Sequence, residues 1–255
     1  MEWTDEAILL SARPHGETAS IVMLLTPEHG RHAGLVAGGQ GQRAQSLLQP
    51  GNKVTVRWRA RLEDHLGNYT LEPITSHAAP WLNDPEILNI IASACAMTEA
   101  ALPERQPMPG VYAGLTALLS LPDSDLWGPA YIKWEMGLLK ALGYGLDLSR
   151  CAVSGATENL SHVSPRTGRA VTSGAAAPYK EKLLTLPVFL CGASDWTEVD
   201  ILQGLDLTGH FLRRNVFAHT HGRMLIREAG DLPSARERLV DYYRRVIEKK
   251  NFEVA

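Results

Sequence analysis

Cysteine is scarce in this chain. Only Cys95, Cys151 and Cys191 occur in 255 residues, far apart in sequence. That excludes a disulfide framework and fits a reducing compartment. Long apolar runs are also missing: none reaches the roughly 18–20 residues that a membrane-spanning helix needs. The first six residues contain Glu2, Asp5 and Glu6 where a secretory leader would be basic, so a cytoplasmic protein is expected. Nor is there a large excess of one charge, since the formal net charge is −3. What is present is the balance of a globular chain, 45% hydrophobic and 21% charged, long enough for one large core or two small ones.

The small net charge hides segregation. Trp81 to Glu135 holds two basic residues against seven acidic, and His210 to Lys250 holds ten basic against five acidic. A chain with charge separated in this way can offer one face to a polyanion. Solvated helix faces would read the same way.

The first 79 residues read as strands. Ala7–Ala12, Thr18–Leu25, Arg31–Ala37, Val54–Arg61 and Tyr69–Glu72 are short and apolar or alternating, separated by turn residues such as Pro27-Glu28-His29-Gly30 and Leu66-Gly67-Asn68. Five strands in this length match a small closed barrel of the OB-fold type. From residue 80 onward the period becomes helical. Asp84 and Pro85 open one helix, Val111–Leu119 form a second, and Gly128-Pro129 open a third. Residues 149–180 show little periodicity and read as a loop-rich insertion. Helices then follow over about Glu198–His219 and Leu232–Lys250. The expected architecture is α+β: an N-terminal domain over 1–79 and a helical domain over 80–255.

The strand Val54–Leu62 carries the sharpest chemical pattern. Val54, Val56, Trp58, Ala60 and Leu62 share one face, expected to be core. Arg57, Arg59 and Arg61 share the other at about 7 Å spacing, a ladder able to track a phosphate backbone. A solvated, edge-protecting face is the plain alternative. In the final helix Leu239, Tyr243, Val246 and Ile247 form an inward stripe that leaves Arg236, Arg244 and Lys249 outside it. Arg213 and Arg214 add to that basic region, which is a candidate second surface.

Other constellations are weak. Gly38-Gly39-Gln40-Gly41-Gln42-Arg43 lacks the Gly-Lys-Ser/Thr ending of a phosphate loop, and reads as a flexible connection ending in a basic residue. His29-x2-His32 and His219-x-His221 lack the carboxylate or cysteine partners of strong metal motifs. There is no Gly-x-Ser-x-Gly. The sequence offers no positive sign of catalysis and no cofactor site. A metal-dependent phosphodiesterase using His219 and His221 is a distant reading.

Several segments together resemble the RecO family of recombination mediators: Ile8-Leu9-Leu10, Gly16–Val22, Leu24–Gly30, Ala37-Gly38-Gly39, Leu48-Gln49-Pro50-Gly51, Leu66-Gly67, and Leu138–Tyr144 leading into Leu146–Cys151. The resemblance covers essentially the whole chain. It implies an N-terminal OB-fold and a non-enzymatic protein that binds single- and double-stranded DNA and anneals complementary strands. It further implies work with RecR, contact with the C-terminal tail of the single-stranded-DNA-binding protein SSB, and help in loading RecA. A cytoplasmic, nucleoid-associated protein follows from those roles. The family's insertion often carries two Cys-x2-Cys pairs that bind zinc. Here only Cys151-x2-Ser154 remains, so a metal-free, zinc-finger-like loop with an inert Cys151 is expected. The candidate DNA-contacting residues are Arg31, Arg43, Arg57, Arg59, Arg61, Arg213, Arg214, Arg244 and Lys249. A protein-interaction scaffold with incidental DNA binding is the alternative from another class.

Overall fold

Strands form where apolar and polar residues alternate or β-branched residues cluster. These are β1 (Glu2–His15), β2 (Ala19–Thr26) and β3 (Gly30–Val36), then β4 (Lys53–Arg59) and β5 (Asn68–Thr75). A short helix, α1 (Gln42–Leu47), lies between β3 and β4. At six residues it is too brief for periodicity to reveal, and it takes the place of the purely flexible connection expected there. A computed structural model describes residues 1–218 and 230–254, without the side chains of Arg43, Glu253 and Val254.

The five strands close on themselves in the order β1-β2-β3-β5-β4, so each has two neighbours. The β3–β5 seam is parallel and rests on the single pair Leu35↔Asn68; the other pairings are antiparallel. Inside sit Ala7, Leu9, Val22, Leu24, Val54, Val56, Trp58 and Tyr69, with Leu48 from the end of α1. Trp58 is fully buried, and its indole Nε1 donates to the Leu66 carbonyl at 2.9 Å. The apolar face of β4 is thus core as far as Trp58. The alternation fails beyond it: β4 ends at Arg59, and Leu62 is exposed rather than buried.

Helices α2 (Pro85–Ala101) and α3 (Pro109–Leu119) follow. Asp84 caps α2 by accepting from the Ile87 N–H at 3.2 Å, with Pro85 at the first helical position. The strand pattern stops near residue 79, yet the first compact unit runs from Met1 to Pro122. The reason is that α2 packs on β1, and Arg13 of β1 reaches Glu99 of α2 at 2.5 Å.

The second unit spans Asp123–Ala255. Helix α4 (Trp127–Ala141) precedes the insertion, which is more ordered than its composition suggests. Strands β6 (Leu160–Val163), β7 (Ala170–Thr172) and β8 (Leu184–Thr185) form an antiparallel sheet in the order β7-β6-β8, with the four-residue α5 (Ser173–Ala176) after β7. Strands of four, three and two residues cannot declare a period of two. Helix α6 (Glu198–Phe211) opens with a reciprocal Thr197–Asp200 capping box and passes into a π-helical segment, Leu212–Phe217, instead of continuing as α-helix. Helix α7 (Ser234–Val254) closes the chain. A Cβ on Gly204 would come within 3.0 Å of Ile132, so glycine lets α6 approach α4. No helix among the described residues is long and apolar enough to cross a membrane.

Candidate nucleic-acid interface

The outward rows of the first sheet follow from register. Across β1, β4 and β5 they read Glu2–Arg59–Asn68, Thr4–Arg57–Thr70 and Glu6–Thr55–Glu72. Acidic residues of β1 therefore share the face with the arginines of β4. Arg57 is taken diagonally by Glu2, and Lys53 lies 2.7 Å from Glu6, a hydrogen bond that raises the lysine pKa. Among the described residues no ion pair involves Arg59 or Arg61. Only Arg57 and Arg59 stand on β4, so the expected three-rung ladder ends at Arg59; Arg59, and Arg61 just beyond the strand, are exposed and open to an external anion.

Arg61 borders a shallow cleft of about 450 Å³ whose other walls include Leu35, Ala60, Leu66 and Gly67. The connection that forms this cleft is held by a residue absent from the candidate set. Arg105 donates to the carbonyls of Glu63, Asp64 (3.2 Å) and His65 (2.9 Å), from a left-handed backbone at φ 56°. No local pattern announces this clamp; in sequence Arg105 reads as a stray base in an acidic stretch. Its neighbour in space, Arg31, is nearly buried. The Arg31 Nε donates to the Leu102 carbonyl at 2.9 Å and its Nη2 lies 3.3 Å from Glu104. Arg31 ties β3 to the end of α2, which removes it from any DNA-contacting surface.

Beside this clamp an aromatic cluster fills one end of the sheet. Trp3 lies between His29, stacked at 3.9 Å, and Trp58, at 5.7 Å. Each histidine of His29-x2-His32 has its Nδ1 engaged within the protein. His29 Nδ1 is 3.2 Å from Asp5, and His32 Nδ1 is 2.7 Å from the Tyr69 hydroxyl. Burial, with help from the Arg105 and His29 charges, lowers the His32 pKa to about 4, so it is neutral at pH 7. His219 and His221 lie outside the described residues, as does the side chain of Arg43.

In the second unit most of the expected basic surface has partners. Arg236, expected outside the helical stripe, is 1% exposed and bidentate to Glu135, at 2.7 Å from Nε and 3.0 Å from Nη2. Burial alone would lower the arginine's pKa, and the carboxylate outweighs it and raises it. The Tyr131 hydroxyl donates to Glu135 at 2.7 Å, the Thr208 hydroxyl donates to it as well, and Arg236 also donates to the Leu205 carbonyl at 2.7 Å. Arg213 pairs with Glu237 at 2.9 Å and Arg244 with Asp241 at 3.4 Å. Lys249 has an exposed side chain. Arg214 donates to the carbonyls of Pro165 (2.6 Å) and Arg166 (3.3 Å), and among the described residues it pairs with no carboxylate.

The residues present do not fit the zinc site that the resemblance implies for many members. Cys151 is buried, and its Sγ accepts from the N–H groups of Val153, Ser154 and Thr172, each at 3.4 Å. Burial would push the thiol up, but hydrogen bonds from the side chains and N–H groups of Ser154 and Thr172 prevail and bring its pKa down to about 6. Cys151 is therefore buried yet not inert in its protonation. One thiol with hydroxyl neighbours is not a tetrahedral zinc set. Among the described residues no three His, Cys, Asp or Glu side chains gather as ligands.

Two family models match the chain, Recombination protein O N terminal over residues 1–77 and Recombination protein O C terminal over residues 82–224. The chain belongs to the RecO family of DNA repair proteins. It is 50% identical to the DNA repair protein RecO of Rhodospirillum centenum over 96% of both chains. Identity is 45% to that of Rhodospirillum rubrum, covering 96% of this chain and 97% of the relative. It is 44% to that of Cereibacter sphaeroides, covering 94% and 98%. The resemblance of the short segments is thus a true family relation along the chain.

Proposed function

We propose that this chain is a non-enzymatic recombination mediator, acting in the cytoplasm on nucleoid DNA, that binds and anneals DNA single strands. In this reading the closed five-stranded sheet is an OB-fold. Arg59 and Arg61 contact phosphates while the cleft beside Arg61 receives a base, the usual division of labour in sequence-tolerant single-strand binding. Membership in a family of DNA repair proteins supports the reading, and so do two guanidiniums outside any described ion pair beside an apolar cleft. By the same family relation, RecR is the partner in action, the SSB tail is the docking target, and RecA is the protein loaded.

A second reading has its own observation. Glu2 and Glu6 offset Arg57 and Lys53 on the candidate face, as suits a scaffold that contacts proteins and meets DNA incidentally. Titrating salt against a labelled oligonucleotide separates the two. Several phosphate contacts make log affinity fall steeply with log salt, whereas a scaffold binds weakly at every salt. Weak, flat binding would remove the mediator reading.

A further inference from the structure

The turn joining β6 to β7 gathers arginines in a way that neither strand pattern nor helix pattern announces. Its sequence is Ser164-Pro165-Arg166-Thr167-Gly168-Arg169. The Gly168 N–H donates to the Ser164 carbonyl at 2.9 Å, and the Ser164 N–H to the Arg169 carbonyl at 3.0 Å. Gly168 sits at φ 68°, and a Cβ there would come within 3.0 Å of Leu146. The turn is therefore a fixed object. It is also fastened to the α6 end: Arg214 holds the Pro165 and Arg166 carbonyls, and His210 Nε2 donates to the Pro165 carbonyl at 3.1 Å.

This fastening sets the Arg214 guanidinium on the turn that carries Arg166 and Arg169. Asp147 joins it from the preceding segment, 3.4 Å from Arg169, and Arg150 lies between Asp147 and Ala152, whose N–H groups donate to the Gly168 carbonyl at 3.0 Å and the Ala170 carbonyl at 2.8 Å. Arg150, Arg166, Arg169 and Arg214 are all exposed. Among the described residues, the Arg169–Asp147 contact is the one ion pair these four arginines make. The contrast with α7 is direct: Arg236 is buried on Glu135, Arg244 meets Asp241, and Lys250 meets Glu198. Arg238 and Arg245 of α7, in no ion pair among the described residues, bond to Ser234 and to the Asp241 carbonyl of their own helix.

We propose that the β6–β7 turn, with Arg150 and Arg214, is a phosphate-contacting surface for nucleic acid in the second unit. Guanidiniums suit it because their planar forks match phosphate oxygens, and a fixed turn orders them at little entropic cost. The proposal rests on the DNA-binding function proposed for the chain and places a second binding surface at a site other than α7.

The test uses the full chain and a labelled oligothymidylate across a salt series. The variant is R150E/R166E, two side chains in no ion pair among the described residues, with thermal unfolding as the check on folding. Binding at low salt should drop about tenfold or more, and the log–log salt slope should fall by about 0.7 for each phosphate that an arginine no longer neutralises. A matched variant, R244E/K249E, should change both far less. If R150E/R166E binds with unchanged affinity and slope while the parent binds normally, the proposal is overturned and the DNA-binding function stands. If the parent itself fails to bind, the DNA-binding function fails first. Loss of binding to an acidic polypeptide with oligonucleotide binding intact would assign the surface to a protein partner and also overturn the proposal. If R150E/R166E unfolds, R166A replaces it, since Arg166 sits at the tip of the turn, and the same readouts decide.

Discussion

Arg236 of α7 and Glu135 of α4 are 101 residues apart in sequence and meet as a bidentate, fully buried ion pair. Their polar atoms are satisfied by Tyr131, Thr208 and the Leu205 carbonyl, so the pair is a closed network holding three helices in one arrangement.

Removing one partner leaves an uncompensated buried charge. Glu135→Ala or Arg236→Ala is expected to destabilise the protein by about 3–5 kcal/mol. The replacement E135L/R236M, which removes both charges and keeps volume, should cost much less. Urea unfolding of the full chain measures both, and equal losses would show that the network matters through its shape rather than its charge.

On the first sheet, Glu2 holds Arg57, and in the proposed function it would compete there with DNA. Arg59→Ala with Arg61→Ala should weaken single-strand binding and flatten its salt slope, uniformly across sequences. Arg57→Ala alone should do less. Glu2→Gln should strengthen binding by freeing Arg57. Affinity unchanged at every salt in R57A/R59A/R61A would make the ladder a solvated face.

Trp58 fills the centre of the closed sheet and holds the Leu66 carbonyl. Truncation to Ala should cost about 3–5 kcal/mol through the cavity and the smaller buried area. Denaturant midpoints report it. Unchanged stability with abolished DNA binding would mean that the indole serves as a stacking platform.

Cys151 links protonation to folding. Its folded pKa of about 6 lies below the ordinary value near 9, so the thiolate is favoured in the folded chain. The stabilisation is complete above the unfolded pKa and is lost as pH falls through the folded one. Stability should therefore rise between about pH 6 and 9, and the rise should flatten in Cys151→Ala. With a single thiol at this site, purified protein should hold no stoichiometric zinc and should keep its Tm in chelator. Elemental analysis giving one zinc per chain would contradict this.

The strands and helices whose apolar residues recur over seven or more positions were legible in sequence, as were the Asp84 cap and the burial of Trp58. Arg236 was not, although it stands three residues before Leu239 and seven before Tyr243, on the inward stripe itself. A charge at an inward position becomes intelligible only through its partner, and Glu135 belongs to another helix. Arg31 and Arg105 were hidden for the same reason, since the carbonyls they hold are 40 to 71 residues away. The insertion was opaque because none of its strands exceeds two periods. Its phrase Ser-Pro-Arg-Thr-Gly-Arg was the one available signal, a turn with a basic tip.

The long first strand carries a hidden constraint. Residues Glu2–Ile8 pair with β4 and Ile8–His15 with β2, and the phase changes at a bulge between Leu9 and Ser11. Leu10 is the extra residue at that bulge, and the run Ala7–Leu10 is buried throughout. Removing Leu10 would let Leu9 and Ser11 follow one another regularly against Leu24 and Met23, with Ala12 still facing Val22 on the inner side, so the inward set does not depend on it. What the extra residue adds is the bend and the stronger local twist of a bulge, placed where one strand passes from its pairing with β4 to its pairing with β2. The closure of the sheet is thus written into the chain as one surplus position, a matter of count rather than of side-chain chemistry.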